Sequence, residues 1–211
     1  MREFIICEQG TEEWRRARLG IPTASNFATI LAKGRNGTES LTRRKYLLQL
    51  AGELITGEPM ESYSNPYMDR GRVMEEEARN CYAFLTDSDP ELVGFIRNGS
   101  KGCSPDALIG SNRLLEIKMA APHVLIDLIL KDEFPTEHKP QTQGQLWVCE
   151  REEVDLICYF SGMPPLLKRA YRDEAYIRQL ASAVDQFNEE LAEVVGKIKA
   201  YGFGERVLGH A

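Results

Sequence analysis

Two acidic residues and a lysine are the first candidates for chemistry in this sequence. Asp106 follows a Ser-Pro pair, and Glu116 and Lys118 lie a short distance downstream in an apolar segment. A Gly-Ser-Asn turn between Ile109 and Arg113 predicts a hairpin with a three-residue loop. In that register Asp106 lies directly across from Glu116, with Cβ atoms about 4.5–5.5 Å apart. Because two facing carboxylates repel each other, the pattern predicts a cation between them.

The alternation of this segment separates a chemical face from a core face. Strand geometry places Glu116 and Lys118 on one side, while Leu115 and Ile117 point into the core. Hard oxygen ligands favour Mg²⁺ or Mn²⁺ over zinc. A neighbouring lysine can position or deprotonate a water and neutralise charge that develops on a phosphate. The alternative is a surface strand whose charged side chains form only a cross-strand salt bridge.

The composition narrows the class of protein. The 211 residues are 43% hydrophobic and 27% charged, which excludes disordered, collagen-like and disulfide-scaffold classes. The net charge is −6, yet residues 1–50 carry nine basic and five acidic residues, a balance of +4, and the rest carries −10. No apolar run is long enough to span a bilayer, and the five cysteines form no Cys-x-x-Cys pair. We therefore expect a cytoplasmic protein with reduced thiols and no membrane partner, able to bind phosphates through a local basic surface.

Helical and strand patterns along the chain predict an α/β fold in which helices flank a central mixed sheet. Helices are predicted over residues 11–20, 24–33, 41–55, 66–85, 124–130, 141–149 and 171–200. Strands are predicted over residues 92–96, 107–109, 114–119 and 154–160. No linker or repeat divides the chain. We expect a single domain over residues 1–211, with a helical part to about residue 90, a core over about 91–160 and a terminal helix.

The residues around the carboxylates resemble a known nuclease core. Ser104-Pro105-Asp106 and Glu116-Ile117-Lys118 are similar to the PD-(D/E)xK motif, and the chain from about Glu8 to Tyr159 resembles the phage lambda-type exonucleases of viral recombination. Further matching segments follow the family's order: Glu8-Gln9-Gly10 with Trp14, Arg18-Leu19-Gly20-x-x-Thr23-Ala24-Ser25, Gly71-x-x-x-Glu75 and Gln141-x-Gln143-x-x-x-Trp147. The resemblance implies a restriction-endonuclease-like core within a nuclease domain.

The resemblance also implies roles for the core residues. Asp106 and Glu116 would hold a divalent metal, Mg²⁺ with Mn²⁺ as a substitute, and the backbone carbonyl of Ile117 would contribute to the same site. Lys118 would orient or activate the attacking water. Glu75 matches a helical glutamate that completes the metal environment in the family.

The residues alone leave the helical glutamate open. A helical wheel places Glu77 nearer the apolar face, whereas the spacing from Gly71 selects Glu75. We follow the spacing, and the alternative for this acidic run is a solvated helix face.

A second group of residues matches the family's grip on a DNA end. The residues that match its pocket for the terminal 5′-phosphate are Arg18, Ser25, Ser104 and Gln143. Arginine, hydroxyl and amide donors suit a phosphate dianion, and a helix that begins after Thr23 would add free N–H groups. Arg35 matches a residue that reaches into the duplex, and Met68 matches an apolar wedge. The alternative is that Thr23 and Ser25 only cap the helix and that Arg18 is surface charge.

The resemblance implies a Mg²⁺-dependent 5′→3′ double-strand DNA exonuclease of bacteriophage type, acting in the cytoplasm of a bacterial host. It would release mononucleotides and leave 3′ single-stranded tails for recombination. The resemblance further implies a homotrimeric ring around DNA and cooperation with a single-strand annealing protein. Two alternatives stay open: an endonuclease or structure-specific nuclease on the same core, and a non-catalytic subunit that binds DNA ends.

Overall fold

The computed structural model describes residues 2–35, 40–60 and 66–201, with side chains described from residue 73 onward in the last range. The strands are β1 (Arg2–Ile5), β2 (Pro90–Glu91), β3 (Phe95–Asn98), β4 (Lys101–Cys103), β5 (Ala107–Ile109), β6 (Arg113–Met119), β7 (Glu153–Tyr159) and β8 (Leu166–Tyr171). The helices are α1 (Glu12–Ala17), α2 (Phe27–Leu31), α3 (Leu41–Thr56), α4 (Pro66–Thr86), α5 (Pro122–Lys131), α6 (Lys139–Cys149) and α7 (Glu174–Tyr201).

The central sheet has the strand order β2-β5-β6-β7-β8. Its β6–β7 pair is parallel and its other pairs are antiparallel, so the predicted mixed sheet is confirmed. A second sheet with the order β1-β3-β4 lies outside the prediction, and the sequence patterns did not indicate β1, β2, β4 and β8. The strand predicted over residues 92–96 begins later, as β3. The central sheet is the element that carries both carboxylates.

Helices cover both faces of the central sheet. On the α4 face the buried residues are Ala78, Tyr82, Ala107, Leu115, Ile117, Ile157 and Tyr159. On the opposite face β6 and β7 contribute Leu114 and Val154 to a larger core with α2, α3, α6 and α7. Leu115 and Ile117 therefore point into the core, as their alternation predicts, and Glu116 faces α6.

The N-terminal part is more broken than predicted. The single helix expected over 24–33 is wrong: a 3₁₀ turn over Ala24–Asn26 precedes α2, which has only five residues. Helix α1 begins after Thr11, whose hydroxyl accepts a hydrogen bond from the Trp14 backbone N–H at 3.3 Å. No helix within the described residues combines the length and apolar content that crossing a bilayer requires.

A glycine sets the close approach of α6 to the N-terminal elements. A Cβ atom at Gly144 would lie 2.4 Å from Cδ2 of Phe27 and 3.3 Å from Cβ of Ala24. Real Cβ contacts are essentially never as short as 2.4 Å, so only glycine permits this spacing. The contact fixes α6 over the sheet at the position of Glu116.

Candidate active site

The hairpin of β5 and β6 has the predicted register. Ile109 pairs with Arg113, and Ala107 pairs with Leu115. The regular pairing ends there, and the backbone N–H of Asp106 donates to the carbonyl of Leu115, the partner of Ala107, at 3.1 Å. Asp106 is therefore held against β6 beside Glu116, but the predicted direct pairing of Asp106 with Glu116 is not part of the ladder.

The main chain of β6 also holds the Asp106 side chain. The N–H of Ile117 donates to Oδ2 of Asp106 at 2.5 Å. In a strand, the N–H and the C=O of one residue point to the same edge. The carbonyl of Ile117 therefore points to the edge on which Asp106 lies, the position that a main-chain metal ligand requires.

Glu116 is only 2% exposed, and its charge is held by side chains from α6 and β6. Gln141 Nε2 donates to its Oε1 and Gln145 Nε2 donates to its Oε2, each at 2.5 Å. The Nζ of Lys118 lies 2.6 Å from Oε1 of Glu116 and donates to Oε1 of Gln141 at 2.9 Å. We call Gln141 and Gln145 the glutamine cradle. Sequence reasoning missed its role, although Gln141 belongs to a motif that it had singled out.

Asp106 is in an environment that opposes its negative charge. Burial, with the charges of Glu116 and Glu75, raises its pKa well above the ordinary value. The N–H of Ile117 and the ammonium of Lys118 act in the opposite direction. Crowded acidic groups of this kind are stabilised when a cation offsets their charge.

The structure favours Glu75 over Glu77 as the helical carboxylate. Glu75 is half-buried on α4 and lines the same cleft as Asp106, and its carboxylate is 3.3 Å from Nη2 of Arg79. Glu77 is exposed and accepts a hydrogen bond from the hydroxyl of Ser161 at 2.8 Å. The spacing from the upstream glycine therefore selects the residue that faces the site.

The donor set suits a hard divalent cation. Asp106, Glu116 and the Ile117 carbonyl supply oxygen ligands along β6, and Glu75 lines the cleft that Asp106 also lines. Within the described ranges, no three His, Cys, Asp or Glu side chains are grouped closely enough to hold a metal without other donors. A metal here would therefore need the main-chain carbonyl or water in addition to the carboxylates.

The cleft beside these carboxylates has a volume of 1040 Å³. Trp14, Arg18 and Thr23 line it together with Asp106 and Glu75. The cleft therefore connects Asp106 and Glu75 of the candidate metal site with Arg18 of the predicted phosphate pocket.

Three of the four predicted phosphate-pocket residues are connected through Trp14 and Thr23. The guanidinium of Arg18 lies 3.9 Å from the centre of the Trp14 ring and donates to Thr23 Oγ1 at 3.3 Å. The hydroxyls of Thr23 and Ser25 are 3.2 Å apart, and Trp14 Nε1 donates to Ser104 Oγ at 2.8 Å. This arrangement supports a phosphate pocket more than the capping alternative.

The capping alternative fails at two points. Thr23 makes no side-chain capping bond to the turn that follows it, because its hydroxyl is used by Arg18, Ser25 and Asn26. Arg18 is partly buried rather than surface charge, and burial lowers the pKa of its guanidinium. The expectation that a regular helix begins after Thr23 and offers its free N–H groups to the phosphate is wrong, because a 3₁₀ turn follows Thr23.

Gln143 is not brought to the pocket, and this expectation needs correction. Its side chain lies on α6 and is 3% exposed. Nε2 donates to the Tyr171 carbonyl and Oε1 accepts from the Asp173 N–H, both at 2.8 Å. Gln143 thus connects α6 to the segment between β8 and α7. Trp147, the last residue of the same motif, packs against Phe27 with ring centres 6.1 Å apart.

Two further predicted DNA contacts stay predictions. Arg35 is exposed, lies at the end of the first described range, and is not among the described residues that line the cleft. Met68 belongs to α4, but its side chain lies outside the described residues.

The opening motif gains a physical explanation from the structure. Gln9 Nε2 donates to the carbonyls of Val93 and Pro105, both at 3.0 Å. Together with the Trp14–Ser104 hydrogen bond, this contact fixes the N-terminal segment against the residues that precede Asp106.

A mixed sheet flanked by helices, with an aspartate entering one strand and Glu-Ile-Lys on the next, is the PD-(D/E)xK nuclease fold. Residues 13–152 match the YqaJ-like viral recombinase domain. The chain belongs to this family, in agreement with the resemblance to viral recombination exonucleases.

Solved structures agree with this assignment. The crystal structure of LHK-Exo in complex with dAMP is 31% identical, with a TM-score of 0.81 over 91% of this chain and 98% of that chain. A structure of the alkaline exonuclease LHK-Exo from Laribacter hongkongensis is 30% identical, with the same TM-score and coverage. A phage-related exonuclease from Haemophilus somnus, 13% identical with a TM-score of 0.66 over 84% of this chain and 96% of that one, shares the fold. No curated protein sequence matches the chain.

Proposed function

We propose that this protein is a divalent-metal-dependent exonuclease that digests double-stranded DNA in the 5′→3′ direction from ends that carry a 5′-phosphate. It releases mononucleotides and leaves 3′ single-stranded tails. The observation that carries the proposal is the grouping of Asp106, Glu116 and Lys118 around the central strand β6, beside a cleft that Arg18 lines. The likeness to LHK-Exo, an exonuclease crystallised with the mononucleotide dAMP, supports the same reaction class.

Different residues would serve different steps of phosphodiester hydrolysis. Asp106, Glu116 and the Ile117 carbonyl would hold Mg²⁺ or Mn²⁺, with Glu75 completing its surroundings. A bound divalent ion would stabilise negative charge on the phosphate and the departing 3′-oxygen. Lys118 orients the attacking water, and the water oxygen replaces the 3′-oxygen on phosphorus.

The glutamine cradle holds the carboxylate of Glu116 and, through Gln141, the ammonium of Lys118. The protein's own side chains thus orient both groups. Arg18, Ser25 and Ser104 bind the terminal 5′-phosphate and set which phosphodiester bond lies at the metal site. This division explains how one cleft could give both end recognition and cleavage.

The biological setting is part of the proposal. Family membership supports action in phage recombination, in a bacterial cytoplasm, with a single-strand annealing protein as partner. A homotrimeric ring around DNA would explain processive digestion. Arg35 and Met68 would contact the duplex where the strands separate.

Three DNA substrates test the proposal: a linear duplex with 5′-phosphates, the same duplex with 5′-hydroxyls, and a closed circle. Each is incubated with Mg²⁺ or with EDTA, and separate 5′ and 3′ labels report the direction of digestion. We expect fast release of 5′-labelled mononucleotides only from the phosphorylated linear duplex, and only when Mg²⁺ rather than EDTA is present. The Lys118→Ala variant, purified in the same way, controls for contaminating nucleases and should be inactive.

Other outcomes would overturn the proposal. Equal cutting of the circle would indicate an endonuclease. Activity that EDTA does not change would exclude the metal mechanism, and binding of ends without cleavage would indicate a non-catalytic subunit.

A further inference from the structure

Trp14 touches two residues of the proposed phosphate pocket through different parts of one side chain. Its ring face lies 3.9 Å from the Arg18 guanidinium carbon. Its ring nitrogen donates to the hydroxyl of Ser104 at 2.8 Å. Trp14 itself lines the cleft that contains Asp106. Both contacts are made by side chains of the protein itself.

The hydrogen bond fixes how Ser104 can act. A hydroxyl has one hydrogen to donate and two lone pairs to accept with. Since the indole N–H occupies a lone pair of Ser104 Oγ, the hydroxyl hydrogen is directed to another acceptor. A phosphate oxygen is an acceptor of the required kind, and without Trp14 the hydroxyl could turn to any nearby group.

The ring contact acts on Arg18 in a related way. A guanidinium stacked on an aromatic ring is attracted through its face, so its in-plane N–H groups remain directed sideways. One of them donates to Thr23 Oγ1 at 3.3 Å, which fixes the rotation of the group in the stack. The long Arg18 side chain is thereby held in one orientation at the wall of the cleft.

We infer that Trp14 is a positioning residue of the phosphate pocket, which aligns Arg18 and Ser104 for the terminal 5′-phosphate. The inference rests on the proposed function, because it assigns Trp14 to the same pocket. Ser104 precedes Asp106 by two residues, so the same contact connects end recognition to the metal site.

The readout is the ratio of kcat/KM for a 5′-phosphorylated duplex to kcat/KM for the 5′-hydroxyl duplex. A purely structural role would lower both values together and leave the ratio unchanged. Trp14→Phe keeps the ring beside Arg18 but removes the N–H to Ser104, and we expect the ratio to fall about fivefold. Trp14→Leu removes both contacts, and we expect a fall of at least about tenfold.

The other tryptophan provides a matched control. Trp147 lies on α6 and packs against Phe27, and it is not among the described residues that line the cleft. Trp147→Phe makes the same chemical change as Trp14→Phe and should leave the ratio unchanged. Thermal melting of each variant shows whether it is folded, and if Trp14→Leu does not fold, Trp14→Phe decides the question.

A double-mutant cycle isolates the Ser104 contact. If Trp14 acts through Ser104, Trp14→Phe adds little to the fall caused by Ser104→Ala, so the double variant matches Ser104→Ala alone. Falls that multiply in the double variant would contradict the inference. Folded Trp14 variants that keep the wild-type ratio would overturn the inference while the proposed pocket stands. A wild-type protein that does not distinguish the two ends would overturn the proposed pocket and the inference together.

Discussion

Gln143 and Gln145 lie on the same helix, 3% and 1% exposed, and the structure gives their amides different tasks. Gln145 donates to the carboxylate of Glu116, whereas Gln143 bonds two backbone groups. Replacing each with leucine keeps a similar volume and removes only the amide. Both variants should lose stability, but only Gln145→Leu disturbs the carboxylate of Glu116, so the pair tests the metal site at similar cost to the fold.

The expected magnitudes follow from the contacts. Gln145→Leu removes a hydrogen bond to the carboxylate of Glu116, which is 2% exposed. The free energy of unfolding should fall by about 1.5–3 kcal/mol. The Oε1 of Gln145 is buried with no hydrogen-bond partner among the described residues, so nothing is lost there. Groups that orient a metal ligand typically contribute about 10–100-fold to metal affinity or activity. Gln143→Leu instead leaves two backbone groups unpaired and should lower stability by about 2 kcal/mol, or about 4–8 °C in Tm.

The assay measures the initial digestion rate of the phosphorylated duplex against Mg²⁺ concentration, with thermal melting of each variant without metal. We expect Gln145→Leu to raise the half-saturating Mg²⁺ concentration, or to lower the saturated rate, by about 10–100-fold. We expect Gln143→Leu to melt earlier but to keep the wild-type Mg²⁺ dependence at a temperature where it is folded. A wild-type Mg²⁺ profile for Gln145→Leu would refute the role of the glutamine cradle. Loss of 5′-phosphate preference in Gln143→Leu would restore Gln143 to the pocket.

Two further predictions concern stability. Gly144→Ala places a Cβ 2.4 Å from the Phe27 ring, so α6 must shift, and we expect the free energy of unfolding to fall by about 1–3 kcal/mol. Nuclease activity should fall as well. Gly196→Ala on α7, where a Cβ meets open space, is the control and should not destabilise the protein. A Gly144→Ala protein as stable and active as wild type would show that the close approach is not needed. The hydrogen bond from Arg43 lowers the pKa of Glu190, so this contact stabilises the folded state above the unfolded pKa of about 4.3 and is lost as the pH falls through the folded pKa. Glu190→Gln should therefore be less stable than wild type at pH 7, by less than about 1 kcal/mol because the pair is partly solvated, with no difference well below pH 4. Urea unfolding at both pH values checks this, and a difference that does not change with pH would contradict it.

The sequence predicted the site best where local rules determine geometry. The three-residue turn sets the register of β5 and β6, and this places Asp106 against the part of β6 that carries Glu116. The spacing from Gly71 predicts Glu75, and in the structure Glu75 rather than Glu77 lines the cleft with Asp106.

The remaining parts depend on how distant elements pack. The glutamine cradle exists because Gly144 lets α6 approach Phe27, a contact between segments that no local pattern connects. For the same reason the spacing in the Gln141 motif could not show that Gln143 faces the backbone at Asp173. Strand β4 is short and glycine-containing, and such a strand forms only because its neighbour supplies the hydrogen bonds.

The most direct test of the central claim is a calorimetric titration of Mn²⁺ into the wild-type protein and into Asp106→Asn. The asparagine can still accept the hydrogen bond from the Ile117 N–H, so the fold should be kept while one anionic ligand is removed. We expect the wild type to bind Mn²⁺ and the variant to bind it at least about tenfold more weakly. Equal Mn²⁺ binding by the two proteins, or none by the wild type, would contradict a metal site at Asp106 and Glu116.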